Sequence, residues 1–182
     1  MNNPSLNCKI LAGNVRIATV SDFLAVLSQI AQNYAVTIQA MDATLIASED
    51  HIKSAVDKAV RAVANNQSIT SDLGLEILLY AAGKRQIGRA LAMGVAEGDK
   101  EVAVVIVDAE GGKDLEVVAE EVKRETGIVE VPLQDLEVDH NNDKRENLKR
   151  FFAITEEELN AVGKEKLKLL VLERVALLDV LK

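Results

Sequence analysis

The sequence predicts a single domain of the α/β (α+β) class, with several helices packed on a mixed β-sheet, and three observations carry that prediction. Residues 102–107, Val-Ala-Val-Val-Ile-Val, form an apolar and mostly β-branched run between Lys100 and Asp108, as a strand covered on both faces requires. Elsewhere apolar residues recur at helical spacing behind good capping residues. Strand-like and helix-like segments alternate through all 182 residues with no internal repeat and no low-complexity linker, and 48% apolar residues suffice for a sizeable core.

Taken in order, residues 9–18 alternate in short runs broken by Gly13-Asn14, which predicts two strands joined by a hairpin turn. Ser21 is a suitable N-cap for a helix over 22–33, with Phe23, Leu24, Leu27, Ile30 and Ala31 on one face. A short strand over 35–41 follows. Ser48, Glu49 and Asp50 open a helix that runs to about Asn65 and turns Ile52, Val56, Ala59, Val60 and Val63 inward. Past the run at 102–107, residues 113–126 read as a helix ended by Gly127, and 129–133 as an edge strand, because Pro132 cannot donate to a ladder. Residues 135–143 read as a polar loop. The charged run over 143–150 reads as a solvated helix face with Leu148, Phe151 and Phe152 turned inward, although Lys144, Arg145, Lys149 and Arg150 there also add positive charge.

Composition excludes several function classes. A net charge of −8 argues against indiscriminate phosphate-backbone binding, so any nucleic-acid contact must be local. Aromatic residues make up 3% with no Trp, which leaves no base-stacking platform. Cys8, the single cysteine, excludes an intrachain disulfide and a cysteine-based zinc cluster, and reads as a small apolar strand residue. The opening Met1-Asn-Asn-Pro-Ser-Leu lacks a basic region followed by an apolar one, and no run of 18 apolar residues occurs. The expected location is cytoplasmic, or nuclear in a eukaryote, with no membrane partner.

The stretch 70–93 carries the most chemical information, since it sets a basic triplet at a glycine break between two helix-patterned segments. Leu75, Leu78, Leu79 and Ala82 recur at helical intervals, and Ile87, Ala90, Leu91 and Gly94 do so again. Gly83 reads as a C-cap, and Lys84, Arg85, Gln86 and Arg89 follow it at the start of the second helix, where free N–H groups would favour an anion. The same cations could equally form a solvated face. His51 and Lys53 could extend the surface from the preceding helix, or His51 could be a capped, partly exposed first-turn residue. Tyr80 reads as a core residue with its hydroxyl at the edge.

The last helix-patterned segment, 164–182, is apolar on two sides. Leu169, Leu170, Leu172, Ala176, Leu177, Val180 and Leu181 fill one broad face, and Leu167, Val171, Val175 and Leu178 another. Such a helix is either centrally buried or covers a partner. Arg174 stands beside Val171 and Leu178, and arginine is seldom fully buried without a pair. Leu167, Val171, Arg174, Val175 and Leu178 are therefore assigned to a partner, against the alternative that this face sinks between sheet and helices.

Glu76-Ile-Leu-Leu-Tyr80 followed by Gly83-Lys-Arg-Gln-Ile87 resembles the signature of the small kinase-binding subunit of the KEOPS complex, the PRPK-binding protein family, in its archaeal type. His51-Ile52 with Ala55, Ala59 and Ala62, the run at 102–107 and the segment 169–179 fit the same family, so the resemblance spans the chain from about His51 onward. It implies a noncatalytic subunit that binds the atypical kinase/ATPase of KEOPS, whose complex installs threonylcarbamoyl-adenosine in tRNA. In archaeal members it also implies recognition of the tRNA CCA end, for which Gly83, Lys84, Arg85, Gln86 and Arg89, with His51 and Lys53, would be the surface. No cofactor and no metal are implied.

A search for catalysis gives little. Cys8 has no histidine near it in sequence, and no serine sits in a G-x-S-x-G elbow. Asp108-Ala-Glu-Gly-Gly-Lys113 follows a strand and precedes a helix, so the Gly111-Gly112-Lys113 turn is the basis of the competing reading, an independent nucleotide or small-ligand binding protein, although it matches neither phosphate-loop pattern. Asp139, His140 and Asp143 are metal-capable but lack the EF-hand order and read as a surface loop.

Overall fold

The computed structural model describes residues 6–182 and, for His140, the backbone alone; the chain opening, residues 1–5, on which the reading of the start partly rests, lies outside the described residues. Four strands, β1 (Asn7–Ile17), β2 (Thr37–Asp42), β3 (Gly98–Asp108) and β4 (Val129–Val131), form one sheet in the order β2-β3-β1-β4. Eight helices join them: α1 (Val20–Tyr34), α2 (Glu49–Ala64), α3 (Leu73–Ala82), α4 (Ile87–Ala90), α5 (Leu115–Thr126), α6 (Asn142–Phe151), α7 (Glu156–Val162) and α8 (Leu167–Leu181). The class is α+β.

All three strand pairings are antiparallel, where the sequence suggested a mixed sheet. The reason is the order of insertion. β1-α1-β2 and β3-α5-β4 are each a strand-helix-strand unit whose strands run the same way, but β3 lies between β1 and β2, and β1 lies between β3 and β4. Two interleaved split β-α-β units make the ferredoxin-like arrangement. The large insertion between β2 and β3, together with α6–α8, supplies the remaining helices.

β3 occupies an inner position, and 102–108 are buried without a break. Because side chains alternate across a strand, Val102, Val104 and Ile106 enter one core with α1 and α5, while Ala103, Val105 and Val107 enter a second core with α2, α3, α6, α7 and α8. Helices thus cover both faces, which is why this segment reads as a continuous apolar run rather than an alternation.

Several local expectations are corrected. Gly13-Asn14 makes no turn: β1 runs unbroken through it, paired with β3 on one side and β4 on the other. Gly13 is there for close approach, since a Cβ would stand 2.4 Å from Ile128 Cγ2 and 2.6 Å from the Val129 carbonyl oxygen. α1 begins at Val20 after Thr19, which makes no side-chain cap bond, so Ser21 is not its cap; Phe23, Leu27 and Ile30 are buried but Leu24 is exposed. The expected polar loop over 135–143 is instead taken up by the end of one 3₁₀ turn, Leu133–Leu136, a second, Val138–His140, and the start of α6, with Leu136 and Val138 in the core. On α6, Lys144 is not solvated: it is buried and its ammonium donates to the Leu136 carbonyl. Burial lowers its pKa to about 8 against the opposing pull of Glu101, Glu137 and Asp42. The expected helix α2 is capped by Ser48 and α5 is closed by Gly127, although α5 starts at Leu115 rather than at 113, and the expected edge strand over 129–133 stops at Val131, before Pro132.

Because the Gly13 contact includes backbone, Gly13→Ala is expected to push β4 off β1 and to cost about 1–3 kcal/mol. The measurement is the denaturant midpoint at unchanged slope; an unaltered midpoint would show that β4 shifts without loss.

Candidate functional site

The candidate surface is set by helices on the second core. α3 ends where the αL residue Gly83 (φ 62°) lets the Gly83 N–H bond the Tyr80 carbonyl and the Lys84 N–H bond the Leu79 carbonyl at 3.0 Å each. That pair of bonds is the Schellman termination. A Cβ at Gly83 would also lie 3.0 Å from the Arg174 carbonyl oxygen, so α8 crosses directly against this turn.

Lys84, Arg85, Gln86 and Arg89 do come together after the cap, with Arg85, Gln86 and Arg89 exposed and Lys84 half-buried. The Lys84 ammonium lies 5.5 Å from the centre of the Phe151 ring, a cation–π contact that joins the corner to the end of α6. Arg85 and Arg89 form no ion pair among the described residues, whereas Lys53, Arg61, Lys149 and Arg174 each do. The N–H groups of Gly83 and Lys84 are used by the cap, and those of Arg89 and Ala90 bond the Gln86 carbonyl, so the expected backbone donors reduce to Ile87 and Gly88 at the start of the single-turn α4. Ile87 and Leu91, expected on an inner face, are exposed beside the cations.

His51 lies at the corner's base but not on its surface. It is fully buried: its Nδ1 accepts from the Ala47 N–H at 3.0 Å, so its Nε2 carries the proton and donates to the Ala81 carbonyl at 2.8 Å. Its ring meets Phe152 edge-on. Burial lowers its pKa to about 4, against the opposing effect of the Ala81 hydrogen bond and with help from the Lys144 charge. The expectation that His51 contacts an external ligand is corrected, since a neutral ring with both nitrogens engaged and no exposure has nothing left to offer. Lys53 is exposed and paired with Glu49 at 2.7 Å.

The partner face expected on α8 is also corrected. Leu167, Val171, Val175 and Leu178 are each 0% exposed and belong to the second core. Arg174 has its pair inside the molecule: its guanidinium donates to the Glu158 carboxylate at 2.7 Å and to the Phe152 carbonyl at 3.3 Å, tying α8 to the turn after α6. The opposite face is the open one, with Leu169, Leu177, Val180 and Leu181 at 58, 41, 78 and 52% exposure.

Glu76, quoted only as part of a signature, and Tyr80, which is a core residue with its hydroxyl at the edge as expected, prove to be structural residues of α3. Glu76 is buried and accepts from the Ile69 and Thr70 N–H groups at 3.1 Å, and from the Lys182 ammonium at 2.7 Å. One helical turn on, the Tyr80 hydroxyl donates to Asp179 and accepts from Lys182 at 2.7 Å. Burial, then the Asp179 hydrogen bond, pushes the Tyr80 pKa up. The four-residue spacing of Glu76 and Tyr80 was the available signal, because it places both on one stripe of α3.

The Gly111-Gly112-Lys113 turn is not a phosphate cradle. The Asp108 carboxylate occupies its centre, accepting from the Glu110 N–H at 3.2 Å and from the Lys113 N–H and the Asn7 amide at 3.0 Å each. Burial alone would raise the Asp108 pKa, but these hydrogen bonds and the Lys113 charge lower it to about 2. A turn that already holds its own carboxylate repels a second anion. Asp139, meanwhile, pairs with Lys168 at 2.8 Å, and the described residues include no cluster of three or more metal-capable side chains. No described helix is long and apolar enough to cross a membrane.

Fold and surface together define a split β-α-β domain that displays an apolar helix face and a cationic glycine corner. The family model for kinase binding protein CGI-121 matches residues 17–179, and the chain belongs to that family. No individually curated protein gives a significant match.

The buried imidazole makes stability depend on pH. A folded pKa near 4 against 6.5 unfolded means that above pH 6.5 neither state binds the proton, while below it the unfolded state gains one that the fold refuses. Unfolding free energy should therefore fall by about 3 kcal/mol between pH 6.5 and 4 through this residue. Chemical denaturation across that range should show the slope in the wild type and a shallower one in His51→Gln.

Proposed function

We propose that this protein is a noncatalytic accessory subunit that binds the atypical kinase/ATPase of a KEOPS complex through the open face of α8 and the CCA end of tRNA through the basic corner. The family supports a kinase as partner, and the observation that carries the reading is the two-sided α8. Its inner stripe already fills the core, yet Leu169, Leu177, Val180 and Leu181 remain in solvent. Exposed apolar side chains sharing one helix face, here interrupted by the exposed Glu173, are the surface that a partner groove or helix covers.

The tRNA reading rests on chemistry. Lys84, Arg85 and Arg89 give an acidic chain one local cluster of cations, Gln86 can pair with a base edge or sugar, and exposed Ile87 and Leu91 give unstacked bases an apolar surface. Catalysis then belongs to the partners, and this subunit supplies anchoring.

The test is calorimetric titration of the whole chain with the KEOPS kinase of the same organism, and separately with tRNA. Val180→Glu should weaken kinase binding by about 100-fold, since it forces a charge into an apolar contact, and should leave tRNA affinity unchanged. Lys84→Glu with Arg85→Glu should do the reverse, with the loss largely abolished for tRNA lacking its CCA end. Wild-type protein giving neither heat nor comigration at micromolar concentration would overturn the proposal.

A further inference from the structure

We infer that Glu76, Tyr80 and Lys182 form a latch that holds the last turn of α8 in the conformation the kinase recognises, making Lys182 a positioning residue for docking. The inference rests on the kinase-binding reading above and adds a requirement to it.

Val180 buries little of its surface and Leu181 about half, so packing alone holds the turn that carries them only in part. Helix ends fray unless their last groups find partners. Here the turn is tied on both sides of that pair. Before it, Asp179 accepts from the Tyr80 hydroxyl and lies 3.9 Å from the Lys58 ammonium. After it, the Lys182 ammonium donates to Glu76 and to the Tyr80 oxygen at 2.7 Å each and to the Gln67 carbonyl at 3.3 Å, while lying 4.3 Å from the centre of the Tyr80 ring. A cation at this position also complements the negative end of the helix dipole.

The receiving side has supports of its own: the Glu76 carboxylate is aimed by the Ile69 and Thr70 N–H groups and sits on a helix that is buried from Glu76 to Ala82, so the latch is a socket and the lysine is its key. Glu76, Tyr80 and Asp179 fall within the residues matched to the family, whereas Lys182 lies three positions beyond them. Pre-organisation sets the size of the effect. If the unlatched turn holds the competent conformation about one-tenth of the time, the apparent Kd rises about tenfold with every interface contact intact.

The experiment uses the full chain with Lys182→Met, which removes the ammonium and keeps the stem over the Tyr80 ring. Kinase Kd is measured by calorimetry and last-turn amide protection by hydrogen exchange. The latch predicts a Kd about tenfold weaker, lost protection over 178–182 and nearly unchanged protection in β3. It also predicts that the loss shrinks below about threefold in a Val180→Ala/Leu181→Ala background, because the latch acts through those two side chains. Tyr80→Phe, which removes only the hydroxyl, should reproduce the effect should Lys182→Met disturb folding. Unchanged Kd in both variants, or an equal loss in the doubly truncated background, would overturn the latch while leaving kinase binding in place; a wild type that fails to bind the kinase would overturn both.

Discussion

Every helix of this protein leans, directly or through a neighbour, on a strand that has no outside. β3 sends alternate side chains into two separate cores, so neither helical layer can form without the other face of the same six residues being covered as well. The antiparallel order follows from the same constraint. Inserting β3 and β1 between strands that would otherwise be parallel neighbours buries the most apolar segment centrally and leaves the short β2 and β4 at the edges.

On that frame, the second core is organised by polar groups rather than in spite of them. His51 ties the start of α2 to the end of α3, Arg174 ties α8 to the turn after α6, and Glu76 gathers the loop before α3 and the end of α8. Each is buried or half-buried with its partners supplied, and no buried side-chain nitrogen or oxygen among the described residues lacks a hydrogen bond. Satisfied networks of this kind fix one arrangement of helices, because any slip leaves a desolvated donor or acceptor unpaired. The cationic corner is what remains when this wiring is complete: Arg85 and Arg89 keep their charges outside the network.

Much of the site was legible because its signals are local. The Gly83 cap, the clustering of Lys84, Arg85 and Arg89, and the caps at Ser48 and Gly127 depend on residues within a turn of one another. Elsewhere a local pattern has two tertiary meanings. Gly13-Asn14 reads as a hairpin until Ile128 and Val129 are seen to press on Gly13, and Asp108 with its glycines reads as a phosphate turn until the carboxylate folds back into it. His51 reads as a first-turn surface residue until the Ala81 carbonyl, thirty positions away, accepts a hydrogen bond from its Nε2–H.

The last helix shows the division most clearly. The sequence by itself determined that residues in this segment form a helix apolar on both sides, since spacing alone fixes which side chains share a stripe. Only the tertiary structure decided which stripe faces in, and it placed Leu167, Val171, Val175 and Leu178 inside and Val180 and Leu181 outside. Hydrophobicity cannot make that choice between two apolar faces. It is made by what lies against them: the close approach at Gly83, the Glu158 carboxylate that receives Arg174, and the Glu76 socket that receives Lys182.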